Sequence, residues 1–405
     1  GFMKNLYVVL MGLALLSFAG NLNVETAPTV KVNRNVIEAE PIEIEARSVF
    51  TGITTDPPWL HLDPPWETNI QIADVFTSND KMVSMAAGPD GKIYVAYSPV
   101  ISQSPLNYGT GIAWSTDQGA TWLNMVYYNS SYSAAQNEIA VSNDGKIYIW
   151  GSFTGAGYTS IPCLTRSRPG YYNRPDTLAA WKVYNLPYLI YPECVAWGTG
   201  DEFIFVQYTR DHTAADSVMF LWSGDSTATG TTYYAFFTTP GGNPEKTSIA
   251  VDVVGTDTIM THGIEYYDAA GSDWDVVCYL DTLNGSGNFY GWSTGNTLDD
   301  RYPSVFSTAG SSYIAFQSDV GSGNFDIIFN YSLDYGQNWA APMIDIAYEP
   351  EPEVYPRVSG ASSTVGVDYF FNANCVRYNY SVVYGQNGSW LTSGEFVTDN
   401  TTANP

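Results

Sequence analysis

The sequence predicts an all-β protein, a six-bladed β-propeller whose blades have four strands each. Three observations carry this. Aromatic residues are dense (31 Tyr, 18 Phe and 12 Trp) beside 36 Gly, while only 14% of residues are charged, a composition of strands and tight turns. Runs of helical periodicity with caps are absent. Above all, one unit recurs: an apolar strand, a Gly/Asp/Ser turn, then a second β-branched or aromatic strand.

The unit occupies residues 82–97, 137–150, 192–208, 246–261, 303–317 and 356–370. Its second strand opens on Ile93, Ile147, Phe203, Ile259, Tyr313 and Val365, which step by 54, 56, 56, 54 and 52 residues. An aromatic closes each unit: Trp122, Trp181, Tyr234, Trp292, Trp339 and Trp390. Four short strands per unit is the content of one blade, and ring closure leaves few exposed edges. A string of β-sandwich domains also spaces its strands evenly, but it does not demand the same unit at near-constant spacing.

Two octapeptides punctuate the repeat, Ser115-Thr116-Asp117-Gln118-Gly119-Ala120-Thr121-Trp122 and Ser332-Leu333-Asp334-Tyr335-Gly336-Gln337-Asn338-Trp339. Ser and Asp oxygens can accept the turn's own amides, Gly supplies a φ > 0 position, and Trp returns an apolar face to the core. A hairpin between third and fourth strands is expected at each, with a decayed copy at residues 384–390. The pattern resembles the Asp-box (BNR) repeat of sialidase-like β-propellers over residues 74–397. In that family the box marks the fold and does no chemistry.

The chain then divides as follows. Residues 1–20 read as a secretory signal peptide: Lys4 precedes an apolar run over 6–16, with the small pair Ser17 and Ala19 before the cleavage point. That run is short for a membrane span, so the mature chain is expected to be secreted or displayed at the cell surface, with no membrane span. Residues 21–73 form an N-terminal strand and a Pro/Trp-rich strap. Within them 36–50 alternates with period two and predicts one edge or lid strand. The twin Asp-Pro-Pro-Trp segments at 56–59 and 63–66 are stiff, and place Trp59 and Trp66 either as plugs or as a ligand platform. Residues 398–405 are a polar tail.

Charge excludes some partners. With 16 Lys and Arg against 41 Asp and Glu, the net charge is −25, which repels nucleic acid and anionic lipid. The four Cys (Cys163, Cys194, Cys278, Cys375) have no metal-site spacing. A Cys163–Cys194 bridge is conceivable beside the alternative that most are small buried residues. The scattered His61, His212 and His262 read as ordinary surface or core residues. Asn-x-Ser/Thr sequons occur at Asn129, Asn284, Asn330, Asn379, Asn387 and Asn400. The acidic stretch Tyr267–Asp275 could hold Ca2+ through oxygens, against the alternative of a solvated loop.

Propellers bind ligands where the segments entering the innermost strands converge. Those segments contribute Lys81, Gln136, Asn137, Glu138, Tyr191, Glu193, Glu245, Lys246, Asp300, Arg301, Tyr302, Tyr355 and Arg357. Arg301 and Arg357 could form a fork for a carboxylate, or pair with Asp300 and Glu353. Glu138 and Glu193 could be a carboxylate pair for glycoside chemistry. In sialidases three Arg hold the sugar carboxylate, a Tyr activated by Glu is the nucleophile, and an Asp is acid/base. The resemblance maps Arg301 and Arg357 to two of the Arg, Tyr302 or Tyr355 to the phenol, and Glu193 or Glu245 to its partner. The family's Arg-Ile-Pro signature is reduced to Ser160-Ile161-Pro162, and a third Arg and the Asp have no counterpart. The expectation is a non-catalytic propeller that binds a glycan or a surface component through Tyr191, Lys246, Glu138, Glu193, Arg301 and Arg357. A glycoside hydrolase is the alternative, and a structural subunit that adds strand 36–50 to a neighbour is another.

Overall fold

The structure is a computed structural model of the 405-residue chain. It describes three short N-terminal strands and most of residues 81–396; residues 1–34, 50–80, 397–405 and several loops lie outside the described residues. The signal peptide, Trp59 and Trp66, His61, His212 and the polar tail all fall there.

The fold is an all-β propeller. Successive antiparallel meanders make up sheets, each with its first strand innermost. The first sheet contains Lys81–Ala87, Ile93–Ser98, Thr110–Ser115 and Leu123–Tyr128. The second contains Tyr132–Val141, Ile147–Gly155, Tyr158–Ser167 and Leu178–Tyr184, and the third Ile190–Trp197, Phe203–Arg210, Ser217–Ser223 and Thr232–Thr238. Pro244–Val254, Asp257–Asp268, Asp273–Thr282 and Tyr290–Ser293 form the fourth. The fifth is Asp300–Thr308, Ser311–Gly321, Asn324–Ser332 and Ile344–Ala347; the sixth is Glu353–Ala361, Thr364–Phe371, Cys375–Ser381 and Glu395–Phe396.

The expectation of a closed ring of six equivalent blades is corrected here. Five blades are described with their side chains, whereas the third sheet is described almost only through its strand pairing. The innermost strands pack in sequence, each on the next, through five junctions. No packing of that extent joins the last sheet back to the first among the described residues. A sequence repeat counts units; it carries no information on whether the ends meet.

Adjacent blades are held by apolar side chains and a recurrent hydroxyl. Tyr94, Ile112, Tyr127, Ile139, Ile147, Ile149 and Leu178 fill the space between the first and second sheets. Cys278, Leu280, Val305, Ile314, Phe316 and Ile328 fill that between the fourth and fifth, and Tyr313, Phe329, Val358, Val365 and Tyr369 that between the fifth and sixth. Fully burying each large side chain contributes about 1.5–3 kcal/mol. A serine on one inner strand accepts an amide from the next: Ile139 donates to Ser84 (3.2 Å), Val305 to Ser248 (3.0 Å) and Val358 to Ser304 (3.0 Å). Burial also explains His262, fully buried and pushed down to about 3, hence a neutral core residue.

Both octapeptides tie third-to-fourth-strand hairpins as their chemistry requires. Ser115 Oγ accepts the Gly119 amide (2.7 Å) and donates to Asp117 (2.8 Å), whose carboxylate accepts the Thr121 amide (2.8 Å). Ser332 and Asp334 repeat this with Gly336 (2.9 Å) and Asn338 (2.8 Å). Positive φ falls on Gly and also on the residue before it: Gln118 and Gly119, Tyr335 and Gly336. The decayed copy begins earlier than expected. Ser381 Oγ accepts the Gly385 amide (3.1 Å), and Trp390 Nε1 donates to Gly385 O (2.9 Å), just as Trp122 does to Gly119 O (2.8 Å). Three of the closing indoles lie between blades: Trp292 stacks on Trp339 at 5.6 Å, and Trp390 meets Phe329 edge-on at 4.8 Å; Trp122 packs on Val95, Tyr97 and Ala113 of its own sheet.

Three further expectations change. The stretch 36–50 is not one strand but three, Asn35–Ile37, Ala39–Ile42 and Glu45–Val49. They add to the outer strands of the third, second and first sheets, so strand addition is satisfied within the chain. Cys163 is buried with a free thiol, so the Cys163–Cys194 bridge is not formed; Cys278 is likewise free. The sequon residues Asn330 and Asn379 are buried, which removes both as glycosylation acceptors.

Gly336 joins two constraints: its φ is +75°, and a Cβ would sit 2.6 Å from Leu280 of the preceding blade. Gly336→Ala is expected to lower unfolding stability by about 1–3 kcal/mol. Gly295→Ala shares the positive φ but has nothing within 4 Å, and should lose less. Urea titration of both variants compares them, and equal losses would remove the role given to Leu280.

Candidate functional site

All the innermost strands start with the same irregularity. Register shifts fall between Lys81 and Ser84, Ala135 and Glu138, Ile190 and Glu193, Pro244 and Thr247, Arg301 and Ser304, and Val354 and Arg357. Each bulge leaves residues unpaired and locally disrupts the ladder. The rim expected from sequence is therefore a rim of bulges. Three of them carry Tyr-Pro: Tyr191-Pro192, Tyr302-Pro303 and Tyr355-Pro356. Proline cannot donate to a ladder and is tolerated at bulges. Tyr302 and Tyr355 adopt φ of +55° and +56°, a sterically disfavoured conformation for a bulky residue. Side chains from second strands hold both amides: Tyr302 N–H donates to Glu265 Oε2 (2.7 Å) and Tyr355 N–H to Gln317 Oε1 (3.0 Å).

Glu265 is the centre of the described part of this rim. It is fully buried, and its second oxygen accepts Arg301 Nε at 3.0 Å and Nη2 at 2.8 Å. The same Nη2 reaches Glu245 Oε2 at 2.7 Å. Burial pushes the Glu265 carboxyl up, while the Tyr302 amide and the Arg301 charge pull it down. The guanidinium also lies over the Trp274 ring, 4.4 Å from its centroid, a cation–π contact.

Aromatic rings continue from there. Tyr302 and Tyr355 meet edge to face at 4.6 Å, and Tyr355 meets Phe370 at 6.3 Å. Lys246 Nζ stands 5.6 Å from the Tyr302 centroid. Tyr355 is 50% exposed and Phe370 41%, so this row of rings faces solvent. Burial and the neighbouring Tyr355 push the Tyr302 phenol up to about 12. That direction is opposite to the lowered pKa of an activated tyrosine nucleophile.

The structure thus brings together Arg301, Tyr302, Tyr355, Lys246 and Glu245, and leaves other candidates apart. Arg301 and Arg357 do not share a fork: the first is taken by two acids of the preceding blade, and the second, exposed, lies across from Asp368 on its own sheet. Nor do they pair with Asp300 and Glu353, which instead accept Asn296 Nδ2 (2.7 Å) and the Glu349 amide (3.1 Å). Asn137 is buried and donates to Tyr97 O and Ser98 Oγ, both at 3.0 Å, so it braces the first sheet. Glu138 is half-buried on the second sheet; the side chains of Glu193, Tyr191, Gln136 and Lys81 lie outside the described residues. Sequence reading missed Glu265, Trp274, Gln317 and Phe370. They sit on second and third strands, away from the first-strand positions that the repeat marks; the recurring Tyr-Pro is the signal the sequence carries. The Tyr267–Asp275 stretch forms a hairpin at this same end, where Asp268, Asp273 and Asp275 converge.

No protein-family model matches the chain, and no curated protein matches it by sequence. Solved structures do resemble it. NanB sialidase from Streptococcus pneumoniae is 9% identical over 76% of this chain and 67% of its own, with a TM-score of 0.50. An α-L-arabinanase of Penicillium chrysogenum is 13% identical, covering 76% and 94%, with a TM-score of 0.49. The GH93 α-L-arabinofuranosidase of Fusarium graminearum is 14% identical, covering 71% and 87%, at 0.44. At such identities the likeness is one of fold.

Two outcomes follow from these buried groups. Arg301→Leu leaves the Glu265 carboxylate without its cation, and is expected to cost about 3–5 kcal/mol; adding Glu265→Gln, which keeps an acceptor for the Tyr302 amide, should recover part of it in denaturant titrations. Glu353 is fully buried, and burial pushes it from 4.5 up to about 8. The folded state then holds a proton that the unfolded state has released, so this group's contribution to stability falls as pH rises from about 4.5 to about 8. Melting temperature should decline across that window, and less steeply in Glu353→Gln.

Proposed function

We propose that the chain is an exported Asp-box propeller that binds an uncharged glycan on the row of rings formed by Tyr302, Tyr355 and Phe370. The observation that carries this is the exposure of Tyr355 and Phe370 beside a guanidinium already neutralised by Glu245 and Glu265. Sugar faces stack on exposed rings, and a few polar groups at the edge fix their orientation. An anionic sugar would need an uncommitted cation pair, whereas Arg301 is engaged by two carboxylates. Export rests on the N-terminal run at residues 6–16, and membership of the Asp-box group on the shared Ser/Asp/Gly/Trp turn. Among the described residues, no helix is long and apolar enough to cross a membrane. The fold is one also used by a sialidase.

One observation favours a hydrolase as the second reading. Glu265, fully buried, and Glu245, 41% exposed at its side chain, meet one guanidinium, and unequal environments are how two carboxyls come to divide acid and base roles.

A panel of neutral and sialylated glycans, probed with the full chain and with Tyr355→Ala, separates these readings. Binding to neutral glycans that weakens about tenfold or more in the variant is expected, the order of one lost aromatic contact. Binding confined to sialylated glycans, or unaffected by Tyr355→Ala, would overturn the assignment. Turnover of fluorogenic glycosides that is lost in Glu265→Gln would establish the hydrolase instead.

A further inference from the structure

We propose that the hairpin joining Asp257–Asp268 to Asp273–Thr282 is a calcium site formed by Asp268, Asp273 and Asp275. One oxygen from each carboxyl lies within 4.8 Å of the others. Oxygens bound to one Ca2+ at about 2.3–2.6 Å stand up to about 4.6–5.2 Å apart, so a single ion spans the cluster. Asp273 and Asp275 are 7% and 3% exposed, and Asp273 Oδ2 is buried with no hydrogen-bond partner. Converging carboxylates taken out of water repel strongly unless a cation sits among them. No ion pair to these three is found among the described residues.

The hairpin is shaped around the acids. Asp268 accepts the Ala270 amide (2.9 Å) and the Gly271 amide (3.0 Å), and Ser272 turns through φ +62°. A Cβ on Gly271 would stand 2.2 Å from Asp273 Oδ1 and 3.1 Å from Asp268 Oδ2, so glycine leaves room for both carboxylates. Asp275 is oriented by neutral donors, the Thr294 hydroxyl at 2.9 Å and the Tyr266 phenol at 3.2 Å. All the donors are oxygens, which suits a hard cation; the irregular arrangement suits Ca2+ over Mg2+, which demands a near-ideal octahedron. Trp274, between the two buried acids in sequence, lies under Arg301 and donates its amide to Asp299 Oδ1 (3.1 Å). The ion would thus brace the hairpin against the rim. This inference stands on the cluster and does not depend on the glycan reading.

The test uses the full chain stripped with chelator, then titrated with Ca2+ or Mg2+ up to about 5 mM, in the range of weak protein calcium sites. Melting temperature should rise by about 5 °C with Ca2+, and markedly less with Mg2+. Tb3+ should show luminescence sensitised through the indole of Trp274, displaced by Ca2+. Asp273→Asn should abolish both responses while melting in chelator no lower than the parent, because a repulsive buried charge is gone; Asp275→Asn gives a second reading should that variant fold poorly. An unchanged melting temperature in Ca2+, or equal calcium shifts in parent and variants, would overturn the site.

Discussion

The rim depends on the buried carboxylate of Glu265. One oxygen takes the amide of Tyr302, a residue held at positive φ, and the other takes Arg301. Strain at Tyr302, of the order of 1–3 kcal/mol for such a residue, is sustained by that bond. The carboxylate in turn tolerates burial only because Arg301 is beside it. Fourth and fifth blades are therefore locked together at the end where the inner strands begin, and the ring row from Tyr302 to Phe370 starts from this lock. Gln317 does the same for Tyr355 with a neutral acceptor, which joins the fifth blade to the sixth without a charge.

Away from the rim, the blades are joined by packing. The hairpin of the second octapeptide leans on the preceding blade, with Gly336 against Leu280, and in the altered copy Gly385 lies against Phe329. The Trp that ends the motif fills the gap beneath. The serine hydroxyls on the inner strands add a polar contact at the narrow end, where side chains have least room. Blade packing and the rim contacts thus come from different radii of the same blade.

Much of this was legible in the chain. The second strands open within two residues of the predicted Ile93, Ile147, Phe203, Ile259, Tyr313 and Val365, because an apolar alternation between turn signals has one economical burial. The rim positions before each inner strand were legible for the same reason. The partners of Arg301 were not: Glu245 and Glu265 lie 56 and 36 residues away, and no local pattern marks which acid a distant blade will present. The three short N-terminal strands were read as one, since period-two alternation does not say where a chain steps from one sheet to the next.

The sequence by itself determined the repeating unit, the turn chemistry of Ser115 to Trp122 and Ser332 to Trp339, and the positions at which the inner strands carry their bulges. Those are local matters, set by side-chain period and by hydrogen bonds within eight residues. Tertiary structure alone decided that Arg301 is neutralised, that Cys163 stays a thiol, that Tyr302 and Tyr355 stand together, and that three aspartates meet around one hairpin. Each of these turns on distances between strands or on burial, and a linear pattern specifies neither.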